Sequence, residues 1–80
     1  MRTITVEYFA ILREQRGLSR ESLVTTAATP SELYDALRVE HGFTLPAERV
    51  RAAVNGEFVQ SQTGLNDGDE VVFIPPVAGG

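Results

Sequence analysis

The 80-residue sequence contains no cysteine, no tryptophan and no lysine, and its only histidine is His41. Without cysteine the chain cannot form a disulfide, a thiolate metal site or a Cys/His catalytic pair, and one histidine is too few for a zinc ribbon. All seven basic residues are arginine, so no ε-amine is available for a Schiff base or for an isopeptide bond to this chain. This inventory predicts no metal site and no self-sufficient active site.

Positive charge is also scarce, because seven arginines stand against eleven carboxylates and leave a net charge of −4. An acidic chain is a poor partner for nucleic acid or for an anionic membrane. No apolar run approaches the roughly 20 residues of a membrane span, and the first residues alternate in polarity, unlike the core of a signal peptide. We therefore expect a cytoplasmic protein that binds neither nucleic acid nor membranes and, at this length, forms one domain.

Five segments have the pattern of β-strands. In the first, Ile4, Val6 and Tyr8 alternate with polar residues, as in a half-buried strand. Further strands are predicted at residues 21–26, 51–54, 57–59 and 71–74, with Asn55-Gly56 typical of a type I′ hairpin turn. Residues 71–74 include no polar side chain, which favours a strand that is central in its sheet and covered on both faces.

One long helix is predicted, and its start is well marked. Thr29-Pro30-Ser31-Glu32 supplies an N-cap hydroxyl, a proline at the first helical position and a glutamate at the third, which together form a capping box. The helix should end at Gly42.

Two other segments are predicted to contain little regular structure. Residues 9–16 are predicted to form only a short helical turn, which ends at Gly17. Residues 60–69 are predicted to form a loop, with a further turn of helix at Leu65. The acidic residues at 67, 69 and 70 are expected to be solvated and not to bind a cation.

The order strand, strand, helix, strand, short strand, strand predicts an α+β fold. The apolar faces of the strands and of the main helix are all buried if the helix packs across a mixed sheet of about five strands. In such a sheet the first and last strands lie side by side in the middle. This is the β-grasp, or ubiquitin-like, architecture. A ferredoxin-like sandwich is the alternative, but it needs a second long helix.

The segment Pro75-Pro76-Val77-Ala78-Gly79-Gly80 is the unusual part of the chain. Proline donates no ladder hydrogen bond, so we expect a β-grasp domain over residues 1–74 and an extended tail over 75–80. The two prolines favour a stiff, polyproline-like start, and six extended residues reach about 20 Å. Because the side chains shrink towards Gly-Gly, such a tail can enter a narrow channel and present its terminal carboxylate in a partner's active site.

Four pieces of the sequence carry a resemblance to a known family. They are YFAILRE at residues 8–14, AVNG at 53–56, DGDEV at 67–71 and FIPPVAGG at 73–80. Together, along essentially the whole chain, they resemble the small subunits of molybdopterin synthase, which are ubiquitin-like sulfur carriers. The last piece is the most specific, since sulfur carriers of the thiamine pathway also end in Gly-Gly but are generally shorter and usually lack the Pro-Pro step.

The resemblance implies a carrier in molybdenum cofactor biosynthesis that is not an enzyme by itself. An E1-like adenylyltransferase would join the Gly80 carboxylate to AMP, consuming ATP, and sulfur would then replace AMP to give a thiocarboxylate. The loaded tail would enter the large subunit of molybdopterin synthase, in a heterotetramer of two small and two large subunits, and donate sulfur to the pyranopterin precursor. No permanently bound cofactor is implied.

The same resemblance assigns roles to individual residues. Gly80 carries the adenylate and then the sulfur, and Gly79 lets the tail thread into the partner. The residues expected to contact a partner are Pro75, Pro76, Val77 and Ala78 along the tail, and Phe9 and Ile74 in a hydrophobic docking patch. For Phe9 and Ile74, ordinary core packing is an equally good interpretation.

Two other functions remain open. One is a ubiquitin-like sulfur carrier for another pathway, such as thiamine synthesis or tRNA thiolation. The other is a β-grasp interaction module that carries no sulfur.

Overall fold

A computed structural model describes residues 1–76 of the chain. The elements in chain order are β1 (Arg2–Tyr8), α1 (Ile11–Arg16), β2 (Arg20–Thr25), α2 (Pro30–His41), a 3-10 turn (Ala47–Arg49), β3 (Arg51–Val54), β4 (Glu57–Val59) and β5 (Glu70–Ile74). The five strands form one mixed sheet in the order β2-β1-β5-β3-β4. β1 and β5 run parallel in its middle, and the other three pairs are antiparallel. The predicted β-grasp architecture is confirmed.

One face of the sheet forms the core together with α2. The alternating residues Ile4, Val6 and Tyr8 of β1 are fully buried, as the polarity pattern predicted. They share a single apolar cluster with Leu33, Tyr34 and Leu37 of α2 and with Val71 and Phe73 of β5. The rings of Tyr34 and Phe73 meet edge to face, with their centroids 5.3 Å apart. The helix therefore lies across the centre of the sheet.

The start of α2 follows its capping signal closely. The Thr29 Oγ1 atom accepts a hydrogen bond from the Glu32 N–H at 3.2 Å, and Pro30 occupies the first helical turn. The Glu32 carboxylate reaches back to the N–H of Ala28, one residue earlier than the N-cap N–H that a standard capping box uses. Gly42 ends the helix in the left-handed conformation, with φ 71°.

The loop before β5 differs from the prediction at two residues, Leu65 and Asp69, since Asp69 was expected to be solvated and is buried. Leu65 forms no helical turn and is instead buried in the core. The Asp69 carboxylate accepts hydrogen bonds from the Asn55 side chain at 2.9 Å and from the Asn66 N–H at 2.8 Å. Asp67 accepts from the Thr3 N–H at 2.6 Å. These carboxylates therefore tie the loop to the hairpin turn and to the start of β1.

Within residues 1–76, no group of three or more His, Cys, Asp or Glu side chains is arranged to hold a metal ion. No helix in that part of the chain is long and apolar enough to cross a membrane.

β5 is central in the sheet, as its apolar run predicted, but the expected coverage of both faces is wrong. Val71 and Phe73 are buried against α2, whereas Val72 and Ile74 on the opposite face are only half-buried. The only long helix within residues 1–76 is α2, and it packs on the other side. The central strand of the sheet thus presents aliphatic side chains on a face that another molecule can cover.

Candidate functional site

The strand register gathers apolar residues on the helix-free side of the sheet. Ala53 of β3 lies between Val72 of β5 and Phe58 of β4, and Ile74 is paired with Arg51. Since side chains alternate along a strand, all of these residues point away from α2. We call this set, Arg51, Ala53, Phe58, Val72 and Ile74, the open face, although Ala53 itself is buried, with only 8% of it exposed.

An aromatic–cation pair marks one side of the open face. The Phe58 ring is 59% exposed, and the Arg51 guanidinium lies 4.3 Å from its centroid, within the range of a cation–π interaction. Arg51 makes no ion pair with any residue of the described chain. A preorganised guanidinium on an exposed ring is a surface typical of protein–protein contacts, where aromatic residues and arginine are enriched.

A groove adjoins the open face where β5 ends. Its seven lining residues are all apolar: Phe9, Ala10, Ile11, Leu45, Ile74, Pro75 and Pro76. We call it the tail-root groove, because Pro75 and Pro76 begin the predicted tail. Phe9 is 42% exposed and so stands outside the buried core. Ile74 belongs to both the groove and the open face, which makes the two surfaces continuous.

The rim of the groove is a tight turn with an unusual backbone. The Leu12 N–H donates to the Phe9 carbonyl at 3.1 Å, which closes a β-turn over residues 9–12. Ala10 has φ 53° and ψ −126°, the values of the first central position of a type II′ turn, where glycine is preferred. Holding a residue with a Cβ atom there costs about 1–3 kcal/mol.

A partly buried ionic cluster anchors this rim to the sheet. Tyr8, the last residue of β1, donates its hydroxyl hydrogen bond to Glu21 at 2.7 Å, and Arg16 of α1 donates two bonds to the same carboxylate, each 2.8 Å long. The hydrogen bonds from Arg16 lower the pKa of Glu21, whereas burial raises the pKa of Tyr8, with the bond to Glu21 adding to that effect. At neutral pH the cluster is therefore a neutral phenol beside a charged pair. It joins α1 to β1 and β2, and Tyr8 precedes Phe9 in the chain.

Comparison with known proteins places the chain in a family. The sequence profile of the ThiS family matches residues 6–80. The chain belongs to the ThiS family. It is 34% identical over 80 residues to the molybdopterin synthase sulfur carrier subunit of Escherichia coli (strain K12), a match that spans 96% of this chain and 99% of the relative.

Two solved structures extend the comparison. One is a putative molybdopterin converting factor, subunit 1, from Pyrococcus furiosus, with a TM-score of 0.78, 29% identity, and coverage of 96% of this chain and 100% of the other. The second is SAMP1 from Haloferax volcanii, with a TM-score of 0.74, 27% identity, and coverage of 98% and 99%. The fold and the family predicted from the sequence are thus confirmed.

In this ThiS-family chain the fold brings together some of the predicted site residues. Phe9, Ile74, Pro75 and Pro76 line one groove. The remaining four, Val77, Ala78, Gly79 and Gly80, lie outside the described residues. No reactive group of the described chain stands in the groove, since all of its lining residues are apolar. The groove can bind a partner but cannot itself perform chemistry.

Sequence reasoning missed four residues of this ThiS-family surface: Arg51, Ala53, Phe58 and Val72. A signal for Phe58 was present. The Asn55-Gly56 turn sets the hairpin register, and Phe58 must then point to the face opposite Val59, which joins the core. No comparable signal existed for Val72, because its exposure depends on which side of the sheet the helix covers.

Proposed function

We propose that this chain is the sulfur carrier subunit of a molybdopterin synthase, with Gly80 as the residue that carries the sulfur. The observation that carries the proposal is that the open face is continuous with the tail-root groove, which Pro75 and Pro76 help to line. In the sequence these prolines are followed by Val77-Ala78-Gly79-Gly80. The full-length similarity to the Escherichia coli carrier subunit supports the same role.

The first step needs an activating partner, because a carboxylate is a poor electrophile. In the proposed reaction the Gly80 carboxylate attacks the α-phosphorus of ATP on an E1-like adenylyltransferase and releases pyrophosphate. A hydrosulfide sulfur then adds to the acyl carbon, and AMP departs as the leaving group. The product is a C-terminal thiocarboxylate. This chain has no cysteine, so its C-terminus is where it would hold reactive sulfur covalently.

The second step takes place in the large subunit of the synthase. The thiocarboxylate sulfur forms a bond to a carbon of the pyranopterin precursor while a carbon–oxygen bond at that carbon breaks and the oxygen leaves in protonated form. Water then cleaves the bond between the acyl carbon and that sulfur. Gly80 returns as a carboxylate and the sulfur stays on the product. A dithiolene has two sulfur atoms, so each product consumes two loaded carriers. We propose that the large subunit provides the acid–base groups and that two subunits of each kind form a heterotetramer.

The spacing between Pro76 and Gly80 limits where the large subunit can bind. Gly80 lies four residues after Pro76, and a fully extended chain spans at most about 14 Å over four residues. An active site that receives the Gly80 acyl carbon must lie within that distance of Pro76. A partner protein placed so close can reach the tail-root groove, because Pro75 and Pro76 line it. We therefore propose that the groove and the adjoining open face form the docking surface for the large subunit.

A second candidate is a sulfur carrier for another biosynthetic route, such as thiamine synthesis or tRNA thiolation. The match to the ThiS family supports this candidate as well, because that match specifies no pathway, whereas the Escherichia coli relative is a molybdopterin synthase carrier. Both candidates require Gly80 to be loaded with sulfur. They differ in the protein that receives the loaded tail.

The decisive measurement is the intact mass of the protein purified from its native host. We expect a fraction of the chains to show one oxygen replaced by one sulfur, localised to the C-terminal peptide. Deletion of Gly80, or addition of one residue after it, should abolish loading and molybdopterin formation without changing the Tm, because the described core is complete before residue 77.

The outcomes separate the alternatives. Absence of sulfur from the native chain, together with normal molybdopterin synthesis by either variant, would contradict both carrier functions. Loading of Gly80 without sulfur transfer to the precursor by the purified large subunit would favour the other biosynthetic route.

A further inference from the structure

Ala10 stands out among the residues with positive φ. Within residues 1–76 there are six of these, and four are glycines: Gly17, Gly42, Gly56 and Gly68. A fifth is Asn55, a residue type that tolerates this conformation in a type I′ turn. The sixth is Ala10, with φ 53°. Apart from Ala10, the described chain therefore uses glycine or asparagine wherever the backbone turns left-handed.

The conformation of Ala10 is one that glycine adopts at lower cost. Its ψ of −126° lies outside the small left-handed helical region that non-glycine residues visit. The turn is nevertheless closed at both ends, since the Phe9 carbonyl accepts from the Leu12 N–H and the Ala10 carbonyl accepts from the Glu14 N–H, each at 3.1 Å. The backbone geometry of this turn therefore does not explain why the residue has a methyl group.

The position of that methyl group offers a reason. Ala10 is exposed, and it lines the tail-root groove together with Phe9, Ile11 and Pro75. The short reach of the tail brings the partner that receives Gly80 close to this groove. The Ala10 side chain therefore lies on the surface proposed for docking, whereas the glycines serve as helix caps and turns.

We propose that Ala10 is a partner-contact residue of the tail-root groove, retained in an unfavourable backbone conformation because its methyl group packs against the large subunit. The same turn makes Ala10 a positioning residue, since it sets the directions of Phe9 and Ile11 at the groove rim. The inference rests on the proposed function. It implies that stability and docking make opposite demands on residue 10.

The test is Ala10→Gly in the full chain, with two measurements. Thermal unfolding should show a Tm raised by about 4–8 °C, because the backbone strain is relieved. Affinity for the purified large subunit, measured by calorimetry, should fall about fourfold from the lost methyl burial alone. If Ala10 had only a structural role, Ala10→Gly would not raise the Tm and lower the affinity at the same time.

Two further variants serve as controls. Ala10→Ser keeps the Cβ atom and should retain wild-type affinity and Tm. Gly17→Ala adds a methyl at φ 82°, where no atom lies within 4 Å of the new Cβ. It should lower the Tm by a similar amount and leave the affinity unchanged, because Gly17 is not among the groove residues.

The results that overturn the inference are distinct from those that overturn the proposed function. If Ala10→Gly binds the large subunit with wild-type affinity, or if its Tm is lowered, the proposed role of Ala10 is wrong. The carrier function is not affected by either result. If the wild-type chain itself does not bind the large subunit, the proposed partner is wrong. The Tm comparison then still tests the strain.

Discussion

Glu21 holds together the rim of the tail-root groove at the scale of single residues. Its carboxylate accepts bonds from Arg16 and Tyr8, on α1 and β1. Arg16 keeps the pKa of Glu21 below its ordinary value near 4.5. Because the unfolded chain binds the proton more tightly, the pair stabilises the fold fully above about pH 4.5, and this contribution is lost as the pH falls through the lower folded-state pKa.

We predict that Glu21→Gln lowers the free energy of unfolding by about 1–3 kcal/mol at pH 7, since Arg16 and Tyr8 lose a charged acceptor. Urea unfolding of both proteins from pH 7 down to pH 3 should show the difference shrinking towards acid, where the wild-type Glu21 is also neutral. Glu57→Gln is the matched control, because Glu57 makes no ion pair within the described chain. A constant difference across the whole pH range would contradict the assignment of the pair.

At the scale of elements, the N-terminus of α2 is held by the Thr29 hydroxyl. We predict that Thr29→Val, which has nearly the same shape but no acceptor, destabilises the protein by about 1 kcal/mol. Thr29→Ser keeps the oxygen and should unfold close to the wild-type Tm. Thermal unfolding followed by circular dichroism measures both variants. Equal Tm values for the Val and Ser variants would show that the cap does not contribute.

The β3–β4 hairpin is the element that completes the open face. Asn55 and Gly56 have φ values of 52° and 87°, as a type I′ turn requires. The Asn55 side chain also accepts the Glu70 N–H at 3.0 Å and donates to Asp69 at 2.9 Å. These bonds tie the turn to the start of β5. The hairpin is thereby positioned so that Phe58 and Ala53 continue the apolar surface of Val72.

At the scale of the whole molecule, the strand residues on the helix-free side of the sheet carry no net charge. The strand residues on the helix-free side include Arg20, which bridges Glu70 at 2.7 Å and Glu7 at 3.8 Å, and also Arg51. These four charges cancel, so the net charge of −4 lies on the rest of the chain. A neutral side with an apolar centre, next to the tail root, is a suitable surface for protein docking.

We predict that Phe58→Ser weakens binding to the large subunit about tenfold or more, because it removes the exposed ring and the partner of Arg51. Val39→Ser is the matched control, since Val39 on α2 is 82% exposed on the other side of the molecule. Calorimetric titration should show wild-type affinity for the Val39 variant. Equal losses in the two variants, or none in either, would contradict docking through the open face.

The sequence by itself determined the parts of this fold that depend on neighbouring residues. The capping signal at Thr29-Pro30, the Asn55-Gly56 turn and the alternation of Ile4, Val6 and Tyr8 predicted their elements correctly. In each case the residues that determine the local structure are close together in the sequence. Pro75 likewise follows the last residue of β5, since proline donates no ladder hydrogen bond. The role of Gly80, by contrast, rests on family resemblance, because it lies outside the described residues.

Only the tertiary structure decided what surrounds the tail root. The exposure of Val72 follows from α2 packing on one side of β5, and its neighbours Ala53 and Phe58 come from strands that are distant from it in sequence. The burial of Leu65 was likewise unforeseen. These features depend on contacts between segments that are distant in the sequence, and such contacts leave no local sequence pattern.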